Sequence, residues 1–600
     1  MTATALGSVT TSRSALDVDW NRMAKWGLIG GLSMSFVSLV GMVESLDDRV
    51  LIEGTLSLGY LFLLWVPMVM GWVAAQETAL EGMEAPRKGL RDLVAGAGAG
   101  AIAGLGLGVL IVLLDTFSLR DTMPNWSPRL FRLLTFESGI GGGILRWLAI
   151  GLGLGLCGGA LHLLSSRGRR AVVNALGWVF LISILVAVVD DLLDNGPFEF
   201  IIDFLYSPKL ALERVAAVVV ALVAGGLSWV MSGRGEQIRE RLAGLDQETQ
   251  RRNSTIALAV AAVVLVVMPM FLGSLLNELL ANVGLFILLA LGLNIVVGLA
   301  GILDIGYVAF FAVGAYTTAV LTSPLSPRWS PEIGFWLAVP VVVVMAIVAG
   351  MLIGTPVIRM RGDYLAIVTL GFGEIVRVLF LSDWLQSTFG GAQGIRQIPG
   401  VELGFATVRG TDPKAVFYLV LVFVVFAVYL SWRLQYSRLG RAWMAIREDE
   451  QVAEAMGINT VTTKLFAFVV GAVLASFSGA IFAAKVGSVF PNSFELLVSI
   501  VILVVVIVGG MGNIPGVIVG AVVLIGVLGG PSQPGLLQEF QDFKLLIYGV
   551  LLVFMMLQKP EGLVPSKHRA RELHQDEFLQ DAWLKGDKPG VDDGEEVGDG

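Results

Sequence analysis

The stretch S-R-L-G-R-A-W-M-A-I-R-E-D-E-Q-V-A-E-A-M-G-I-N-T, Ser437–Thr460, is polar and stands between two of the most apolar segments of the chain. A charged segment inside a hydrophobic membrane protein has to lie in water, on one side of the bilayer or the other. Five basic residues in and beside it, Arg433, Arg438, Arg441, Arg447 and Lys464, place it in the cytoplasm by the positive-inside rule. The run Met444–Met456 is expected as one short helix. Arg447, Glu448, Asp449, Glu450 and Glu454 would form its wet face, Ile446, Val452, Ala453 and Met456 would be available to pack, and Gly457 would be its C′ cap. Two readings of these residues stay open. One is a docking knob for a soluble partner, with a charged rim and an apolar centre; the other is an ordinary solvated loop.

The surroundings of this stretch make the chain a polytopic membrane protein. Of its 600 residues 55% are hydrophobic and 15% charged, against about 25% charged in a soluble globule, and its mean hydropathy is +0.78. Apolar runs near the roughly 20 residues that span a bilayer begin at about 26 and recur to about 558, so the expected fold is all-α with about 14–16 transmembrane helices, some short or broken. The runs at 496–511 and 514–529 are the short ones and are candidates for re-entrant segments. If the N-terminus is inside and every run crosses, about 27 of the 41 basic residues fall inside and about 13 outside. Both termini are therefore expected in the cytoplasm, with no cleavable-signal pattern in 1–25.

The organisation follows from polar interruptions: a cytoplasmic N-terminal segment 1–25, a transmembrane extension 26–231, a charged linker 232–253, a second transmembrane domain 254–565 containing the polar loop 433–464, and an acidic tail 566–600. The formal charge of −8 is matched by the stretch from Glu572 onward, where about ten acids face Lys585 and Lys588, so the rest of the chain is close to neutral. Nothing in it points to nucleic acid. The 73 glycines suit helices in close approach, notably Gly96–Gly108 and Gly151–Gly159. Cys157, the one cysteine, is expected as a buried bystander, and the three histidines, His162, His568 and His574, form no ligand cluster, so neither metal nor cofactor is expected. Asp190, Asp191 and Asp194 are expected in a solvated turn just past a helix end.

Two apolar regions of the second domain are broken by glycine, one at Gly298, Gly301 and Gly306, the other at Gly509, Gly510, Gly512, Pro515 and Gly516. Paired helix breaks point to a midplane substrate site in transporters, where freed backbone groups face a ligand; tight turns between hairpinned helices are the alternative. Glu374 and Arg377, spaced i, i+3, share a helix face and can neutralise each other. Together with Asp304 they are candidates for the substrate pathway or for structural links. Tyr307, Phe310 and Tyr316 are candidates to line an apolar route or simply to pack. The substrate-pathway candidates are thus Asp304, Tyr307, Glu374, Arg377, Gly509 and Gly510.

G-R-A-W-M-A-I-R-E-D-E (Gly440–Glu450) and A-M-G-I-N (Ala455–Asn459) followed by K-L-F-A-F (Lys464–Phe468) resemble the cytoplasmic loop of LivM-type permeases of branched-chain amino-acid ABC importers. The stretches Gly292–Tyr316, Arg359–Arg377, Gly390–Ile395, Val505–Ala521 and Lys559–Leu563 resemble further parts of that family in the same order. The resemblance covers about 310 residues and does not reach the N-terminal extension. It implies that the polar loop is the coupling segment contacting an ATPase subunit, with Arg441, Arg447, Glu448, Glu450 and Gly457 as candidates for transmission. It implies as partners a LivH-type second permease, two ATPase subunits and an extracytoplasmic binding protein, with branched-chain amino acids as substrates and the cell membrane as location. The chain has no G-x-x-x-x-G-K-[ST] and no catalytic constellation, so hydrolysis of ATP is expected in separate subunits and not here. A urea or short-amide permease of related type, or a secondary transporter or channel without ATP coupling, is the alternative.

Overall fold

The computed structural model describes residues 19–76, 89–193, 199–208, 210–231, 247–360, 363–404, 407–531 and 533–565. Most of the linker 232–253 and the whole acidic tail lie outside them. The chain divides into two compact units, Met1–Ala261 and Ala262–Gly600. Among the described residues 11 helices are long and apolar enough to cross a membrane, or 12 if the bent pair Ser166–Ile184 and Val186–Leu192 is one span. The expected 14–16 is reached only when the shorter apolar helices Ala259–Met270, Val308–Thr322 and Ile514–Gly526 are added. Among the described residues strand is confined to three two-stranded pairings.

In the first unit the long helices are α1 (Trp20–Leu39), α2 (Leu58–Ala75), α3 (Leu90–Thr116), α4 (Gly139–Ala160), α5 (Ser166–Ile184) and α6 (Arg214–Met231). Helix α3 packs on α1, α2 and α4, and it does so through glycine. A Cβ on Gly96, Gly100 or Gly104 would strike the backbone of α4 at Gly155, Gly151 or Trp147. Apolar association inside a bilayer has little hydrophobic drive, so close van der Waals contact of this kind supplies it. The same seam corrects the expectation for Cys157. Helix α4 buries its glycine face, Gly151, Gly155, Gly158 and Gly159, and turns Leu152, Leu156 and Cys157 outward, so the cysteine is exposed. Asp190 and Asp191 also differ from expectation: they lie on a helix, Val186–Leu193, that leaves α5 at a bend of 72°. Asp194 is outside the described residues.

The second unit is built around α7 (Ser274–Leu293), in which every residue from Ala281 onward is buried, as is the π-helix Asn294–Leu299 that continues it. A helix apolar on all sides belongs at the centre of a bundle. Next in the chain come α8 (Val308–Thr322), α9 (Phe335–Val357), α10 (Asp363–Leu381) and α11 (Pro413–Gln435), of which α11 packs on α7. Two short polar helices follow, α12 (Arg438–Glu448) and α13 (Glu450–Ala455), then α14 (Thr460–Val486), α15 (Leu496–Gly509), α16 (Ile514–Ala521) and α17 (Lys544–Gln558). Hydroxyls stitch the bundle across helices. Tyr307 donates to Gly471 O at 2.7 Å, Ser476 to Phe310 O at 2.9 Å and Ser478 to Leu285 O at 3.0 Å.

Candidate functional site

The polar loop is two helices with an elbow between them, where a single helix was expected. Ser437 caps α12 by accepting from Gly440 N at 3.2 Å. Trp443 and Ile446 turn inward from α12, and the indole N–H of the fully buried Trp443 donates to Thr463 O at 2.8 Å. At Asp449 the backbone becomes extended (φ −152°, ψ 112°), and its carboxylate accepts from Gln451 N at 2.8 Å and Val452 N at 3.0 Å. An aspartate that caps a following helix cannot also continue the preceding one, which is why the helix breaks there. Helix α13 ends at Gly457, whose φ of +90° is the left-handed cap expected of it. Asn459 then caps α14 through Thr462 N at 3.0 Å.

Of the residues expected on the wet face, Glu448, Asp449 and Glu454 are exposed, whereas Arg447 and Glu450 fold back. Glu450 pairs with Lys464 at 2.6 Å. Val452 and Met456 do not pack within the chain: they are 58% and 79% exposed, two apolar side chains presented on a charged surface. Arg441 is exposed, with Nη1 donating to Tyr436 O at 3.2 Å.

Arg447 reaches the broken helix. Its Nη1 donates to Gly298 O at 2.7 Å. That carbonyl lies in the π-helix at the end of the α7 run, where intrahelical acceptors lack partners and the helix dipole presents negative charge, so a guanidinium is well matched to it. Gly301, at φ +71°, lets the chain turn away beneath the arginine; a Cβ there would sit 2.8 Å from Arg447 Cγ. The second break arrives at the same place. Gly512 N donates to Asn294 Oδ1 at 2.8 Å, Gln435 donates to Gly512 O at 3.3 Å, and a Cβ on Gly298 would lie 2.5 Å from Gly512 N. The two glycine-rich breaks therefore meet each other and the polar loop. A midplane position was expected for them, but their contact with Arg447 puts Gly298 and Gly512 level with the loop. Beside them Gly301, Ile302, Met360, Arg447, Glu450 and Lys464 line a cleft of about 220 Å³.

Gly509 and Gly510 are occupied by the chain itself. Leu563 N and Val564 N donate to Val508 O and Gly509 O at 2.7 and 3.2 Å, and Asn513 donates to Val564 O at 2.8 Å. Gly510, at φ +122°, packs on the backbone of Glu561 and Val564. These glycines admit the K-P-E-G-L turn.

Asp304 and Tyr307 sit on the extended segment between the π-helix and α8. Ile305 N donates to Thr369 Oγ1 at 3.1 Å, Gly306 N to Asp304 Oδ1 at 3.0 Å and Val308 N to Ser499 Oγ at 2.8 Å. Asp304 is 2% exposed, and its second carboxylate oxygen has no hydrogen-bond partner among the described residues. Tyr307, Phe310 and Tyr316 are buried in packing; Tyr316 lies among Phe380, Phe389 and Phe494. Glu374 and Arg377 pair as their spacing implies, with Nε 3.0 Å from both carboxylate oxygens, and Arg377 reaches Asn492 at 3.4 Å.

Asn294, Gln435 and the Glu450–Lys464 pair went unnoticed in the sequence. Asn294 had a signal, a lone amide in the apolar run 283–303, since a polar group there must find a partner. The same holds for Lys485, which bonds Asn282 and lies 3.7 Å from Glu278. Among the described residues no group of three or more His, Cys, Asp or Glu could hold a metal ion.

The profile of a family described as "Branched-chain amino acid transport system / permease component" matches residues 275–556, all in the second unit. The chain is 41% identical over 302 residues to the high-affinity branched-chain amino acid transport system permease protein LivM of Salmonella typhimurium and to that of Escherichia coli K12; each alignment covers 47% of this chain and 68% of the relative. To LivH of Escherichia coli K12 it is 25% identical over 294 residues, covering 46% of this chain and 91% of the relative. No solved structure matches it.

Proposed function

The chain belongs to the family of branched-chain amino acid transport permeases that includes LivM, and from that membership we propose how it is driven. It is a multi-pass membrane protein and the permease subunit of an ABC importer for branched-chain amino acids. A LivH-type permease and an extracytoplasmic binding protein complete the path, two separate ATPase subunits hydrolyse the nucleotide, and both termini of this chain face the cytoplasm.

The elbow Arg438–Ala455 is the foothold of one ATPase. Exposed Val452 and Met456 give it an apolar centre, and Arg441, Glu448 and Glu454 give it a charged rim, the make-up of a docking surface whose core is desolvated and whose rim stays wet. Movement of the foothold passes inward through Arg447. The observation that carries this reading is its hydrogen bond to Gly298 O, where the two helix breaks meet. Displacing α12 pulls a charge-assisted bond on a π-helix already short of regular pairing, so the inner end of the central helix shifts with it. The extended segment Gly301–Tyr307 and the buried Asp304 are carried by the same end and lie on the substrate's way out.

The test is uptake of leucine by proteoliposomes holding the complete importer and its binding protein. ATP-dependent uptake is expected, with urea not transported. Uptake driven by an ion gradient alone would refute the coupling, and urea uptake would refute the substrate class.

A further inference from the structure

The first unit contains an apolar slot that no part of the permease reading uses. It lies between α5 on one side and α2 with α4 on the other, and its volume is about 550 Å³, within the range of about 300–1,000 Å³ of small-molecule sites. Leu61, Trp65 and Met68 of α2, Leu154 of α4, and Val173 and Phe180 of α5 line it. Trp65 and Phe180 meet edge to face across it at 6.1 Å. Helix α5 takes its close packing elsewhere, on α6, where Asn174 donates to Ser228 Oγ at 2.8 Å. From Leu61 to Trp72 the wall on α2 rises roughly 16 Å at 1.5 Å per residue, about the depth of one leaflet of a hydrocarbon core some 30 Å thick.

The slot ends in charge. Arg169 and Arg170 line its Trp72 end, and among the described residues no carboxylate lies within ion-pair distance of either. His162 at that end is engaged, stacked on Trp72 at 5.9 Å with Nε2 2.9 Å from Trp72 O. We propose that this slot is a binding site for one anionic phospholipid, with an acyl chain between α2 and α5 and its phosphate on Arg169 and Arg170. Empty, the slot would forfeit the dispersion contacts of its lining. The fluid around a membrane helix is acyl chain, so hydrocarbon fills it, and two guanidinium groups without carboxylate partners select the headgroup by charge.

The test is lipid retention by the full chain in its native complex, read by native mass spectrometry after detergent extraction and after back-titration with phosphatidylglycerol or phosphatidylcholine. Wild type is expected to retain phosphatidylglycerol in preference. Arg169→Gln with Arg170→Gln should lower its affinity by roughly tenfold or more. Gly177→Phe keeps both charges and places a ring in the slot, where a Cβ meets nothing within 4 Å; it should displace the lipid while the protein still elutes as folded complex. Equal retention of phosphatidylcholine by wild type, unchanged retention in both variants, or a free fatty acid as the species released would each overturn the proposal.

Discussion

Arg447 is the residue on which the reading of this protein turns, and its role comes from where the chain folds it. On sequence it belongs to a wet, charged helix face; in the fold it gives up part of its hydration to hold Gly298 O. A hydrogen bond from a charged donor is worth about 1.5–3 kcal/mol. Arg447→Gln should therefore cut leucine uptake by roughly ten- to a hundredfold, since each 1.4 kcal/mol is a factor of ten, while the partner ATPases still hydrolyse ATP; Arg447→Lys should restore part of it. Unchanged uptake by both variants would remove Arg447 from the transmission path. Gly301 is the companion test. With φ +71° and Arg447 Cγ 2.8 Å from where a Cβ would stand, Gly301→Ala should cost about 1–3 kcal/mol and lower the melting temperature of the solubilised complex. That glycine breaks occur near 298 and 510 was legible in the sequence. That an arginine of the polar loop would bind one of them was not, because a side chain's reach across 149 positions leaves no periodic trace.

The elbow shows how local chemistry can overrule periodicity. Met444–Met456 has helix-forming residues throughout, and nothing in its pattern marks Asp449 as a cap and not a member. Only its two hydrogen bonds to Gln451 N and Val452 N reveal the break. Asp449→Ala should cost about 1 kcal/mol as a lost cap and reduce disulfide cross-linking between a cysteine at Met456 and the ATPase, measured during turnover; cross-linking unaffected by the change would mean that the elbow is not needed for docking. Glu448→Lys with Glu450→Lys should abolish uptake with insertion intact. The Glu450–Lys464 ion pair separates the two contributions: Glu450→Gln alone loosens α13 from α14, whereas Glu448→Lys alone acts only at the exposed rim. The π-helix had no sequence signature either, since a segment buried on every side shows no amphipathic period to interrupt.

For the whole molecule, sequence reading found the membrane class and the polar loop, because these rest on composition and charge, and the permease family, because its motifs recur in order along the second half of the chain. It missed which side chains would be exposed in the first unit, Cys157 among them, since glycine seams decide that and hydropathy does not register them. The family profile matches within the second unit, and the first stands as a unit of its own. Deleting residues 1–250 should accordingly leave a chain that inserts and supports ATP-driven uptake, measured in the same proteoliposomes; complete loss of uptake with normal insertion would assign the extension an obligatory part. One feature of the second unit bears on how far any motion can spread. Gly292 leaves the space that the Tyr307 hydroxyl occupies, and that hydroxyl is fixed to Gly471, so α7, α8 and α14 are bolted together about two turns from the carbonyl that Arg447 holds. A stroke begun at Arg447 bends the stem below that bolt, while spin labels placed beyond it on α7 and α14 should keep their separation throughout the transport cycle.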